Sequence, residues 1–178
     1  MEERKKIKDM IKIIEASHSD KDTLCNMFLD HITAHPEYIS HGEIQMGVGI
    51  GKLANEVFVT EVSPMARHYW MKYIDMNING DDSVVYKAVD DSDMVVGFCI
   101  ATYTEDGASP FGMISDIMVK EGQRGGGIGS ELLKTAIGWL NKNGIHDIYL
   151  ESGLNNHSAH EYFKHKGFRK VSEIYKLM

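Results

Sequence analysis

Four glycines fall within five residues, Gly125, Gly126, Gly127 and Gly129, with Arg124 ahead of them and Ile128 and Ser130 alongside. Glycine removes Cβ bulk, so several backbone N–H groups can converge on one anion. The run opens a segment of helical spacing, and a helix N-terminus adds partial positive charge. Arg124 supplies a cation beside it. A tight turn alone needs fewer glycines, so the pattern predicts a phosphate site.

The kind of phosphate ligand is a separate question. Gly125-x-Gly127-x-x-Ser130 follows a strand, and Glu151 lies about 20 residues further on, as in the dinucleotide fingerprint. Two features argue against that fingerprint. The polar stretch Lys120 to Arg124 separates strand and glycines, and too little chain follows for a doubly wound sheet. The nucleoside-triphosphate loop fails because no Gly-Lys-Ser/Thr is present here.

The elements that must hold this loop read as an α/β domain. Ile11 to Glu15 is a short β-branched strand, and Asp20 or Asp22 caps a helix with Leu24, Phe28 and Ile32 on one face, ended by Pro36. Tyr38 to Val62 shows no clear period, with Gly42, Gly47, Gly49 and Gly51 interrupting it. Ser63-Pro64 starts a helix whose stripe is Met65, Tyr69, Lys72 and Met76, ending at Asn79-Gly80. Val84 to Val89 and Met94 to Tyr103 form a hairpin around Asp90 to Asp93, and Phe111 to Val119 is a further strand. Gly127 to Asn143 is a helix with the stripe Ile128, Leu132, Ala136 and Leu140. Asp147 to Ser152 reads as a strand, Asn156 to Lys166 as a helix, and Phe168 to Leu177 as a last strand. The order implies three layers, α/β/α, around a central mixed, mostly antiparallel sheet.

The run Asp116-x-x-Val119-x-x-x-x-Arg124-Gly-x-Gly127-Ile-Gly129 resembles the R-x-x-G-x-G acyl-CoA signature of the GNAT superfamily of N-acetyltransferases. Downstream, Asn156-x-x-Ala159-x-x-x-Phe163-x-x-x-Gly167-Phe168 looks like that family's late helix and the start of its last strand. The two matches span residues 111 to 168 in the right order. The resemblance implies one domain over 1–178, with 1–80 as a variable acceptor-side part and 83–178 carrying the hairpin, the CoA loop and the C-terminal strands. It implies acetyl-CoA as co-substrate, held by Ile117, Met118, Val119, Arg124, Gly125, Gly126, Gly127, Ile128, Gly129, Ser130 and Asn156. The thioester carbonyl would take a backbone N–H from around Met118 or Val119.

Transfer to an amine needs a route for the amine proton, a polarised carbonyl and a proton for the leaving thiolate. Asp116 interrupts the apolar run Met113, Ile114, Ile117 and Met118, where an unpartnered carboxylate is costly to bury. It is the first candidate to contact the amine, and Glu105 and Glu151 are alternatives. The family's usual tyrosine, four residues before Gly167-Phe168, is replaced by Phe163, which donates no proton. Adjacent Tyr162 is the candidate acid, and thiolate loss through water is the alternative.

The 178 residues carry 26 acidic and 19 basic groups, a net charge of −7, which disfavours general nucleic-acid binding and suits a cationic substrate. No apolar run approaches the ~20 residues of a membrane helix, the first residues carry no export signal, and Cys25 and Cys99 lie far apart. A cytoplasmic location is therefore expected. No metal site is expected, since His31 and His35 lack companion ligands at a recognised spacing. Expected acceptors are a polyamine, an aminoglycoside, an amino-acid-like metabolite or a protein amine. A non-catalytic acyl-CoA-sensing domain and a dinucleotide oxidoreductase are the competing classes, and a homodimer through the last strand is compatible with its apolar residues.

Overall fold

A computed structural model describes residues 11–105 and 109–177 and divides the chain into two compact units. The first comprises the chain through Phe28 together with Met71–Leu150, and the second comprises Leu29–Trp70 and the chain from Glu151 onward.

A five-stranded sheet dominates the first unit, in the order β1 (Lys12–Glu15), β4 (Ser83–Val89), β5 (Val95–Thr104), β6 (Phe111–Val119), β7 (Ile148–Leu150). All neighbours are antiparallel except β6 and β7, which run parallel. The expected mixed, mostly antiparallel sheet is what forms, and Phe111 to Val119 has the expected bounds. Three helices contribute to this unit in whole or part: α1 (Lys21–Ala34), α3 (Ala66–Asn79) and α4 (Ile128–Lys142). The predicted stripe Ile128, Leu132, Ala136, Leu140 of α4 is fully buried. Glycines in the sheet let it approach closely: a Cβ at Gly112 would lie 2.8 Å from Leu140, and one at Gly97 would lie 3.1 Å from Leu132. Truncating Leu132 or Leu140 at such a contact costs about 2–5 kcal/mol.

The sheet's decisive irregularity is a bulge. Ile100 opposes Asp116 and Ala101 opposes Ile114, so Ser115 is an extra residue in β6. Lys120 N donates to Val96 O at 2.9 Å, which places Met118 and Asp116 in the same class of hydrogen-bonded pairs facing β5. Ile117 and Val119 therefore turn their N–H groups to the opposite edge. Beyond the bulge, Gly112 N donates to Asp147 O at 2.8 Å, on the β7 side. Without Ser115 the outward set would continue through Asp116 and Met118; the extra residue resets it. β7 pairs only with Gly112, Met113 and Ile114, so the outward edge at Ile117 and Val119 has no β7 ladder.

Other contacts fix the first unit's sheet edge. Lys87 and Asp20 form an ion pair at 2.6 Å, with both side chains largely buried. Burial pushes the Asp20 carboxyl up, but Lys87 and the Ser17 backbone and hydroxyl outweigh it and hold the group below the usual carboxylate range.

In the second unit, Pro36 ends α1 as expected and begins a 3-10 turn, Pro36–Tyr38. The segment without a clear period contains α2 (His41–Met46) and a hairpin of β2 (Gly49–Ala54) and β3 (Val57–Val62). A Cβ at Gly49 would run into Ile39, and one at Gly51 into Phe58, so these glycines permit packing where they obscured the strand pattern. Asn55 and Glu56, both at positive φ, close the hairpin as a two-residue loop. α5 (His157–His165) follows the loop after β7.

Two expectations need correction. The stripe assigned to α3 is its solvent face: Met65 lies just before it, and Met65, Tyr69 and Met76 are all exposed, whereas Ala66, Trp70, Ile74 and Asn77 are buried. Aromatic and methionine side chains made the outer face resemble the core face. The segment Phe168–Leu177 forms no strand; its apolar residues Val171, Ile174, Tyr175 and Leu177 are exposed, and no sheet partner stands beside them among the described residues.

Candidate active site

The glycine loop follows β6 through the 3-10 turn Glu121–Gln123. Arg124 Nε donates to the Val119 carbonyl at 3.0 Å, which ties the cation to the end of β6. Gly125 and Gly127 have φ of 83° and 91°, the left-handed region that costs another residue about 1–2 kcal/mol. Nothing lies within 4 Å of a Cβ built on either, so the approach over the loop is open. Gly127 caps α4 without a side chain, and Ser130 N and Glu131 N both fold back onto its carbonyl at 3.0 and 3.1 Å. The first-turn amides of Ile128 and Gly129 thus remain directed out of the helix end. This arrangement fits a phosphate group. Beside it, Ile11, Ile13, Gly126, Gly127, Ile128 and Glu131 line a cleft of about 80 Å³. That is well below the ~300 Å³ of a closed ligand pocket, so the cleft alone does not enclose a large ligand.

Asp116 sits half-buried on the sheet face shared with Ile100 and Met118, opposite the face covered by α4. Tyr73, on α3, donates its hydroxyl to Asp116 Oδ2 at 2.7 Å. Cys99, opposite Ile117, is fully buried; burial, and then the nearby Asp116 charge, push its thiol far above its usual range. Cys25 is fully buried as well. Neither cysteine is placed to carry an acyl group, since the thiolate is the nucleophilic form.

The remaining candidates lie in the second unit or at a strand end. Glu151 accepts from Gly42 N at 3.0 Å. Nearby Glu43 closes a capping box with Ser40 at the start of α2; burial pushes its carboxyl up, Ser40 opposes this, and Glu151 adds to it. Glu105 is exposed just past β5. Asn156 caps α5, accepting from Ala159 N at 3.3 Å, as expected. Phe163 is buried, with Tyr162 edge-on to it at 5.3 Å, and the Tyr162 hydroxyl oxygen is buried. Lys166 stands 5.4 Å above the Tyr162 ring.

Register narrows the backbone donors to Ile117 and Val119, since Met118 spends its N–H on β5. Sequence reasoning missed Tyr73 and the Ser115 bulge. Nothing in the sequence marks the bulge, whereas Ser40-x-x-Glu43 has the pattern of a capping box.

Residues 52–168 match the profile of the Acetyltransferase (GNAT) family. The chain belongs to this family. It is similar in fold to the tetramutant of the BH1408 protein of Bacillus halodurans, with a TM-score of 0.71 and 18% identity over 94% of this chain and 99% of that one. A predicted acetyltransferase of Clostridium acetobutylicum, crystallised with acetyl-CoA, aligns at 0.67 and 15% identity over 95% and 96%. The aminoglycoside 6′-N-acetyltransferase AAC(6′)-Ih of Acinetobacter baumannii aligns at 0.63 and 13% identity over 94% and 97%. No curated protein matches the chain in sequence. Family and neighbours support an acyltransferase and are consistent with acetyl-CoA as co-substrate. Among the described residues no group of three or more His, Cys, Asp or Glu is placed to hold a metal ion. No described helix is long and apolar enough to cross a membrane.

Proposed function

We propose that the protein is an N-acetyltransferase that moves the acetyl group of acetyl-CoA to a primary amine by direct attack in a ternary complex. The observation that carries this reading is the open edge at Ile117 and Val119, one short turn from the glycine loop and beside Asp116. The loop binds the CoA phosphates through the amides of Gly125 to Gly129, with Arg124 and Ser130 alongside and the thioester laid against β6. Asp116 takes the amine proton, directly or through water. The nitrogen then attacks the carbonyl, and the N–H of Val119 or Ile117 stabilises the oxyanion. The C–N bond forms, the C–S bond breaks, and the sulfur leaves as thiolate, protonated by Tyr162 or by water. Two buried cysteines favour this direct route over a covalent acyl-enzyme.

Acceptors in this proposal are small cationic metabolites, polyamines, aminoglycosides or a protein amine, in keeping with the net charge of −7. Specificity would reside in residues 36–79. We place the protein in the cytoplasm, acting on neither nucleic acid nor membrane. A homodimer is part of the proposal: the exposed apolar segment near the C-terminus bears Arg169, Lys170 and Lys176 against Glu173, complementary to the acidic remainder of a second copy. A non-catalytic acyl-CoA sensor is the second reading, favoured by Phe163 at the position of the usual tyrosine.

A thiol-release assay with acetyl-CoA and a panel of amines separates the two. Turnover that is lost in Asp116→Ala supports the transferase. Tight acetyl-CoA binding with no turnover for any amine favours the sensor.

A further inference from the structure

The Tyr73–Asp116 hydrogen bond ends a chain of contacts within the first unit. Ser83 Oγ, at the start of β4, donates to the Asn77 carbonyl at 2.9 Å. Asn77, buried at 7% exposure, turns its side-chain Nδ2 back to the Tyr73 carbonyl at 2.8 Å. Tyr73 Oη then donates to Asp116 Oδ2 at 2.7 Å. This bond ties the Asn77 side chain to the preceding turn of α3. The helix turn is fixed to β4, and its tyrosine reaches across to β6.

We propose that Tyr73 is the positioning residue of this acyltransferase: its hydroxyl, carried on a helix turn that Asn77 and Ser83 tie to β4, fixes the Asp116 carboxylate in the orientation that receives the amine. This inference rests on the assignment of Asp116 above. An O–H donating to a carboxylate favours the ionised form and selects one side-chain rotamer. The first keeps the carboxylate charged to meet an ammonium, and the second lets it meet the substrate without searching. A tyrosine placed only to pack α3 on the sheet would do neither, and Phe would serve as well.

The test is a double-mutant cycle of Tyr73→Phe and Asp116→Asn. The enzyme is assayed by thiol release with kanamycin, spermidine and a lysine-containing peptide. Alongside it, the Asp116 carboxyl is titrated by ¹³C NMR in the CoA-bound protein, which needs no acceptor. We expect Tyr73→Phe to keep its melting profile and the KM for acetyl-CoA, to lose roughly tenfold in kcat, and to move the acid limb of kcat and the Asp116 midpoint to higher pH. In the Asp116→Asn background Tyr73→Phe adds nothing further. Unchanged kcat and midpoint in Tyr73→Phe overturn the inference while leaving the transferase intact, as does an equal loss in both backgrounds. Full activity in Asp116→Asn removes the Asp116 assignment and the inference with it, and where none of the three amines reacts an unchanged Asp116 midpoint in Tyr73→Phe overturns the inference. The titration tells these failures apart, because it reports the hydrogen bond even where no amine reacts.

Discussion

The two halves of β6 behave differently although one strand carries both. Phe111 to Ile114 is paired on either side, with β5 and β7, and its inward residues Gly112 and Ile114 are buried. Asp116 to Val119 is paired with β5 alone, and there the strand carries a carboxylate and outward N–H groups. One extra residue separates a half paired on both sides from a half with an open edge. A bulge shifts the two-residue alternation, and so changes at one stroke which amides face the open edge and which side chain faces α3.

The sharpest way to break this comparison is to place proline in each class of position. Met118→Pro deletes a ladder donor to β5 in a central strand and is expected to prevent folding, read as loss of a cooperative melt. Asp116→Ala should leave the fold and acetyl-CoA binding intact and lower kcat by roughly 10²–10⁴-fold. Val119→Pro removes an outward amide that no ladder uses; kcat should fall by about 10²-fold with the melt preserved.

A different aspartate supplies the contrast in stability. Asp20 is paired with Lys87 and holds structure, not substrate. Lys87→Met leaves that carboxylate buried without its cation and should cost about 3–5 kcal/mol in urea unfolding at neutral pH. The folded pKa of Asp20 is lowered, so its contribution is present above the unfolded value and is lost as pH falls through the folded one. The gap between wild type and Lys87→Met should therefore narrow in acid. The smallest expected effect is Gly125→Ala: about 1 kcal/mol of backbone strain and a weaker hold on acetyl-CoA, seen in KM more than in kcat.

What was legible in the sequence was local chemistry. The glycine loop was legible because the left-handed φ at Gly125 and Gly127 calls for a residue type that few other features need in such density. The α4 stripe was legible because Leu132, Ala136 and Leu140 repeat at helical spacing on a single buried side. The α3 stripe misled because Tyr69 and Met76 are apolar yet face outward, while buried Asn77 is polar. The β2–β3 hairpin stayed hidden because Gly49 and Gly51 exist to admit Ile39 and Phe58, which no local pattern reveals. Tyr73 was invisible for the same reason, since its role depends on a residue 43 positions away. The segment after Phe168 carries apolar residues but has no sheet to join among the described residues.

The most direct test is a crystal structure of the protein with acetyl-CoA. The account predicts the phosphates on the amides of Gly125 to Gly129 and the thioester oxygen about 3 Å from the N–H of Val119 or Ile117, with Asp116 on the acceptor side of the carbonyl. A thioester bound away from this open edge, or phosphates that ignore the glycine loop, would contradict it.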